Sequence, residues 1–168
     1  MSEEKSRRSR WLVPLIPFVI VFGLLAAIAV PNLLTAMNRS HEKRTMADMR
    51  TIATAWEARA NDFNTYDVRG KHRPLGALPQ ALRWDALPPV AAADLERALV
   101  PKYIKKFPRK DGWEHDFEFV AASDQYAIRS RGRDGKIDGS VYAVIRHQSF
   151  DNDIVYGNGS FYAFPEGL

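Results

Sequence analysis

The chain has 168 residues, 24 of them Lys or Arg and 20 Asp or Glu, for a formal net charge of +4, and it has no cysteine. The missing cysteines exclude thiol nucleophiles, thiolate metal centres and disulfide staples together. The first ten residues set Lys5, Arg7, Arg8 and Arg10 against Glu3 and Glu4, so +2 of the charge belongs to this leader and the +2 left over is too little to announce a nucleic-acid partner.

From Trp11 to Val30 the sequence is uncharged and mostly apolar, long enough at about 1.5 Å per residue to cross a hydrocarbon core of about 30 Å. The basic leader, residues 1–10, places the N-terminus in the cytoplasm and the tail outside a cytoplasmic (inner) membrane, although Arg39, Lys43, Arg44 and Arg50 put comparable charge close behind the span. Ala27-Ile28-Ala29 is a small-x-small triplet of the kind a signal peptidase accepts. Against cleavage stand an apolar core longer than the roughly 7 to 15 residues of a secretory signal and a helical pattern that runs on past Pro31. The segment 11–30 reads as a retained single-pass anchor.

Residues 31–63 continue the helix in amphipathic form: Leu33, Leu34, Met37, Met46, Met49, Ile52, Ala53 and Trp56 recur at spacings of three and four between charged positions. Pro31 marks a kink, because proline removes a helical hydrogen bond. Such a stripe is the core face of a helix packed on a domain. Residues 64–110 are interrupted by Pro74, Pro79, Pro88, Pro89, Pro101 and Pro108, and only Ala91 to Val100 reads as a short helix. Tyr103, Ile104 and Phe107 suggest that this connection is packed rather than free. Beyond Asp111-Gly112-Trp113 the period becomes two, over 116–120 and 125–130, and 153–164 reads as a hairpin closed by Gly157-Asn158-Gly159. The expected architecture is α+β: a long N-terminal helix packed on a small antiparallel sheet spanning 111–168.

An apolar helix ending AAIAVPNLL, the stretch LVPKYIKKFPRKDGWEHDFEF from Leu99 to Phe119, YAIRSRGRDGKIDG from Tyr126 to Gly139, and SFDNDIVYGNGSFYAFPEG near the C-terminus resemble the type IV pilin superfamily. Within it the tail looks most like the major pseudopilin of type II secretion. The resemblance implies a non-enzymatic, membrane-anchored subunit that works with related pilin-like subunits or the secretion apparatus. One departure lies at the front. Members of the superfamily are cut by a prepilin peptidase after a glycine that precedes the apolar run, and keep a glutamate a few residues inside it. Counting back from Pro31, these positions fall on Ser9 and Pro14, and no glycine occurs before Gly23. The chain therefore reads as an unprocessed relative of the pseudopilins.

Asp134-Gly135, Asp138-Gly139 and, a dozen residues later, Asp151-Asn152-Asp153 offer the carboxylates and tight turns that calcium takes in its six to eight oxygen ligands. The same residues are also ordinary turn formers. The alternating acids and closing glutamate of an EF-hand are missing. The resemblance implies calcium in this loop, with Asp134 first, then Asp153, Asp151 and Asp138, and the Arg131 carbonyl as a backbone ligand. Arg129, Arg131 and Arg133 alternate, so a continuing strand would show all three on one face, to solvent or to a polyanion or protein ligand of a membrane-tethered binding module. Glu114-His115-Asp116 invites an acid-base or zinc reading, but neighbours on a strand point to opposite faces. His41, His72 and His147 are scattered, no nucleophile motif or phosphate loop accompanies them, and Trp113, Phe117 and Phe119 read as core.

Overall fold

The computed structural model describes residues 15–68 and 81–166. The leader with Ser9, the front of the apolar run with Pro14, and the part of the connection carrying His72, Pro74 and Pro79 lie outside them. Helix α1, Leu15–Phe63, holds Pro31 in its interior and is unbroken there; Thr35 Oγ1 donates to the Pro31 carbonyl at 2.9 Å. The chain divides into two compact units, Met1–Asn38 and Arg39–Leu168.

The first unit carries its large apolar side chains in the open. Phe18 and Phe22 are each 76% exposed, and Leu24, Leu25, Ile28, Leu33 and Leu34 are exposed as well. Among the described residues α1 is the one helix long and apolar enough to cross a membrane, and none of that apolar window is buried within the chain. In water an apolar face of this size is costly to leave uncovered.

In the second unit Met46, Met49, Ile52, Ala53, Trp56 and Ala60 of α1 are buried, which bears out the stripe from Met46 to Trp56; Leu33, Leu34 and Met37, expected on the same core face, fall in the first unit and are exposed. Trp56 is the centre of this core: its ring meets Phe119 and Tyr126, and its indole N–H donates to the Tyr66 carbonyl at 2.8 Å. The sheet that receives it has six strands in the order β2-β3-β4-β7-β8-β6, namely Pro89–Val90, Glu118–Ala121, Tyr126–Ser130, Ile154–Gly157, Ser160–Pro165 and Ile145–His147. A separate two-stranded ribbon pairs β1, Ala81–Arg83, with β5, Val141–Ala143.

Three differences from the sequence expectations have physical reasons. The main sheet is mixed rather than antiparallel, because β6 runs parallel to β8. Residues 148–153 join β6 to β7, which lie one strand apart, and β8 fills the gap between them. Being antiparallel to β7, it must be parallel to β6. Second, the connection is more regular than its prolines suggest. Besides helix α2, Ala92–Leu99, it supplies β1, a single 3-10 turn at Trp84–Ala86, and the edge strand β2. Proline 89 is tolerated there because an edge strand has one side free of ladder hydrogen bonds. Third, β4 is buried at every position, although its sequence alternates. Phe119 and Ile128 belong to the core under α1, while Val120 and Ala127 belong to a second apolar layer with Leu82, Tyr142, Val155, Tyr162 and Ala163. Both faces of the sheet are covered. The Asn158-Gly159 turn joining β7 to β8 has φ of 49° and 84°, the left-handed pair that a two-residue hairpin loop demands.

Candidate functional site

The Asp-Gly loop, residues 131–139, folds against the segment 149–153. Gly132 makes this contact possible: its φ is +62°, and a Cβ there would stand 2.5 Å from the Asn152 carbonyl oxygen and 2.7 Å from that of Asp151. The two backbones are also tied by Arg133 N–H donating to the Phe150 carbonyl at 2.8 Å. From the other side, His115 Nδ1 lies 2.9 Å from the Gly132 carbonyl oxygen.

Asp138 and Asp153 are the two predicted acids that the fold brings together. Asp138 N–H donates to Asp153 Oδ2 at 3.0 Å, and Asp153 N–H donates to Asp138 Oδ2 at 2.7 Å, a reciprocal clasp. Tyr142 hydroxyl stands 2.5 Å from both Asp153 Oδ2 and the Gly139 carbonyl oxygen, so its one proton serves two acceptors, and Arg129 Nη1 donates to the same hydroxyl at 3.1 Å. Asp153 is 1% exposed, yet its Oδ1 has no hydrogen-bond partner. Burial pushes the Asp153 carboxyl above the usual carboxylate range, and the Tyr142 hydrogen bond pulls the other way. A buried carboxylate oxygen with free lone pairs is costly unless a cation or a proton meets it.

The other two acids are committed elsewhere. Asp151 receives Arg133 through Nε at 2.8 Å and Nη2 at 2.9 Å, and this bidentate pair holds its carboxyl below the usual range. Asp134 accepts the Lys136 backbone N–H at 2.9 Å and lies on the exposed side of its turn. Among the described residues no three His, Cys, Asp or Glu side chains converge to hold a metal. What the site offers is oxygen only, two carboxylates and nearby carbonyls, a donor set that fits a hard cation such as calcium and not zinc. His147, which sequence reasoning left aside as scattered, has a buried Nε2, and burial depresses its pKa, opposed by the Ser149 carbonyl 3.1 Å from Nδ1, then by the Asp153 backbone and the Asp138 carboxylate. No spacing in the sequence announces that neighbourhood.

The arginines do not form a free face. The strand ends at Ser130, so Arg131 and Arg133 lie beyond it. Arg129 pairs with Glu118 through Nε at 2.8 Å and through Nη2, its side chain only 5% exposed and its guanidinium 4.2 Å above the Trp84 ring. Arg131 pairs with the other oxygen of Glu118. Each of the three guanidiniums engages an acid of its own chain. Glu114-His115-Asp116 is a turn rather than a strand, with Glu114 at φ 68°. Glu114 faces Arg44 at 3.9 Å and His115 holds the Gly132 carbonyl, so these two side chains serve different neighbours, while Asp116 forms a backbone bridge with Lys110. Phe117 and Phe119 are buried, and Trp113 is half-buried against His41.

Comparison with known proteins adds a consistent set of relatives. The chain is 24% identical over 139 residues to the type II secretion system core protein G of Escherichia coli (strain K12), covering 82% of this chain and 89% of that protein. It is 25% identical over 160 residues to the core protein G of Dickeya chrysanthemi, covering 94% and 92% of the two chains. With the core protein G of Aeromonas hydrophila it shares 25% over 152 residues, covering 90% and 93%. No family model and no solved structure matches the chain.

Proposed function

We propose that this chain is a single-pass membrane pseudopilin, a structural and non-enzymatic subunit that packs with related subunits in a type II secretion or type IV pilus-like apparatus. The observation that carries the reading is the similarity to core protein G along nearly the full length of both chains, helix and sheet domain alike. The exposed apolar face of the first unit supports it, since that face needs lipid or helical neighbours. In this reading residues 1–10 stay in the cytoplasm, the apolar run lies in the inner membrane, and the sheet domain works outside it. Because Ser9 and Pro14 stand where the peptidase glycine and the paired glutamate are looked for, the subunit keeps its N-terminus. Detergent extraction from native membranes followed by native electrophoresis tests the reading. Co-migration with other pilin-like subunits supports it, and migration alone refutes it. The intact mass of the same sample tests retention: a chain beginning near Met1 supports it, and a cut near Arg10 with a methylated amine overturns it.

The proposal extends to calcium. Asp138 and Asp153 would hold the ion, joined by the Arg131 carbonyl and, once released from Lys136 and Arg133, by Asp134 and Asp151. The partnerless Oδ1 of Asp153 supports this assignment. Bound calcium would neutralise the clasped acids and fix the 131–139 loop against 149–153. Isothermal titration of the full chain with calcium, in the presence and absence of a chelator, checks it, and no heat of binding up to millimolar calcium removes the ion from the account.

A further inference from the structure

A second concave surface lies away from the acid clasp. Arg44, Asp48 and Thr51 of α1 form one wall of a groove of about 490 Å³; Lys106, Phe107, Pro108, Arg109, Lys110 and Glu114 complete it. The spacing of four and three sets the α1 residues on one face. Four cations line the groove against two acids, and the cations are unequally occupied. Arg109 is spent on Glu96, outside the groove, with Nε at 2.9 Å, and Lys110 Nζ donates to the Glu114 carbonyl at 2.9 Å. Arg44 stands 3.7 Å from Asp48 and 3.9 Å from Glu114, too far for a direct hydrogen bond. Lys106 is exposed and makes no hydrogen bond or ion pair among the described residues. Lys106, unpaired, and Arg44, held only by loose, solvent-exposed ion pairs to the groove's own acids, thus face a groove whose floor is the buried Phe107 ring.

We propose that this groove receives an extended segment of a partner protein whose carboxylate side chains engage Arg44 and Lys106. The mixed lining selects a protein over a phosphate polymer or an anionic lipid. Asp48 and Glu114 repel a row of phosphates, but they accept the backbone N–H groups or a basic side chain of a peptide. Phe107 and Pro108 give such a segment an apolar footing between its charges. This goes beyond the proposed function and does not depend on it, because the groove belongs wholly to the second unit.

The test uses the full chain in a neutral detergent and, as probe, a capped octapeptide of alternating Asp and Ala, with its Asn counterpart as control. Fluorescence anisotropy of the labelled peptides reads binding. The expected result is saturable binding of the Asp peptide, at least tenfold weaker for the Asn peptide and at least tenfold weaker for the double variant Arg44→Glu, Lys106→Glu. The exposed neighbours Lys43 and Lys105 lie outside the groove, so Lys43→Glu, Lys105→Glu changes binding less than twofold. Unchanged melting of both double variants shows that the fold survives. Absence of saturable binding up to about 1 mM, or equal loss in both double variants, overturns the proposal. So does tighter capture of an oligonucleotide or of anionic phospholipid vesicles through Arg44 and Lys106. Self-association that disappears in the groove variant also overturns it, by making a second copy the occupant.

Discussion

Replacing Glu118 by Gln removes the charge shared by Arg129 and Arg131 while leaving a side chain of the same shape. Arg131 is 40% exposed along its side chain and turns to water, but Arg129 is 5% exposed and has no such outlet. Breaking a buried ion pair by removing one partner costs about 3–5 kcal/mol. Glu118 itself is 24% exposed, which places this case at about 3 kcal/mol, the lower end of that range. The second unit, Arg39–Leu168, has 130 residues. At about 2.1 cal/mol/K per residue its unfolding entropy is about 0.27 kcal/mol/K, so the melting temperature falls by about 11 °C. Trp84, whose ring carries the Arg129 guanidinium, contributes a local fluorescence signal during thermal melting of the full chain in detergent. The double replacement Glu118→Leu, Arg129→Met removes both charges and restores stability to within about 1 kcal/mol of the parent. A loss below about 3 °C for Glu118→Gln, equivalent to about 1 kcal/mol, refutes the claim that Arg129 is a buried charge dependent on this partner.

Three further outcomes follow from the same structure. Glu42 is 6% exposed, and burial pushes its carboxyl up to about 7 from the ordinary 4.5, against the pull of Arg39. The protonated folded form contributes stability that is complete below about pH 4.5 and lost as pH rises to about 7. Urea unfolding across that window should show a decline in the parent that Glu42→Gln abolishes, and identical slopes for the two proteins contradict it. Gly132→Ala places a Cβ against two carbonyl oxygens in the left-handed region and costs at least about 2 kcal/mol in the same assay; a neutral result means the two loops part easily. If calcium sits at the acid clasp, an excess of one hundred times Kd raises stability by about 2.7 kcal/mol, and Asp153→Asn removes that increment. An increment that persists in the variant places any bound ion elsewhere.

The parts of the fold legible in the sequence are those fixed by local pattern. Met46, Met49, Ile52 and Trp56 announce one apolar helix face because three-and-four spacing sets residues on one side of a helix, but the spacing does not say what covers that side, and Leu33, Leu34 and Met37 of the same stripe are exposed. Asn158-Gly159 announces a tight hairpin because few residue pairs accept two positive φ angles. The rest depends on what packs from a distance. Alternation in β4 suggests one wet face, and only the β1-β5 ribbon, drawn from remote segments, makes both faces dry. The parallel β6-β8 pair is a matter of strand order, which no local pattern carries. Short β1 and β2 are hidden among prolines because an edge strand asks little of its residues. The site divides in the same way. Asp138 and Asp153 were visible as loop acids, but their clasp, the ion pair that occupies Asp151, and the burial of Arg129 beside Glu118 are cross-chain contacts.

In the proposed function the exposed apolar helix of the first unit packs against related helices in the membrane. The chain has no cysteine, so single-cysteine variants placed one at a time from Leu24 to Leu34 report contacts without background. Oxidative crosslinking in native membranes, with co-expressed pilin-like subunits that each carry one introduced cysteine in the corresponding helix, reads them directly. The expected result is disulfide-linked species that rise and fall with a period of three to four residues, the signature of one helix face meeting another. Crosslinking that is absent, or even along all positions, contradicts it.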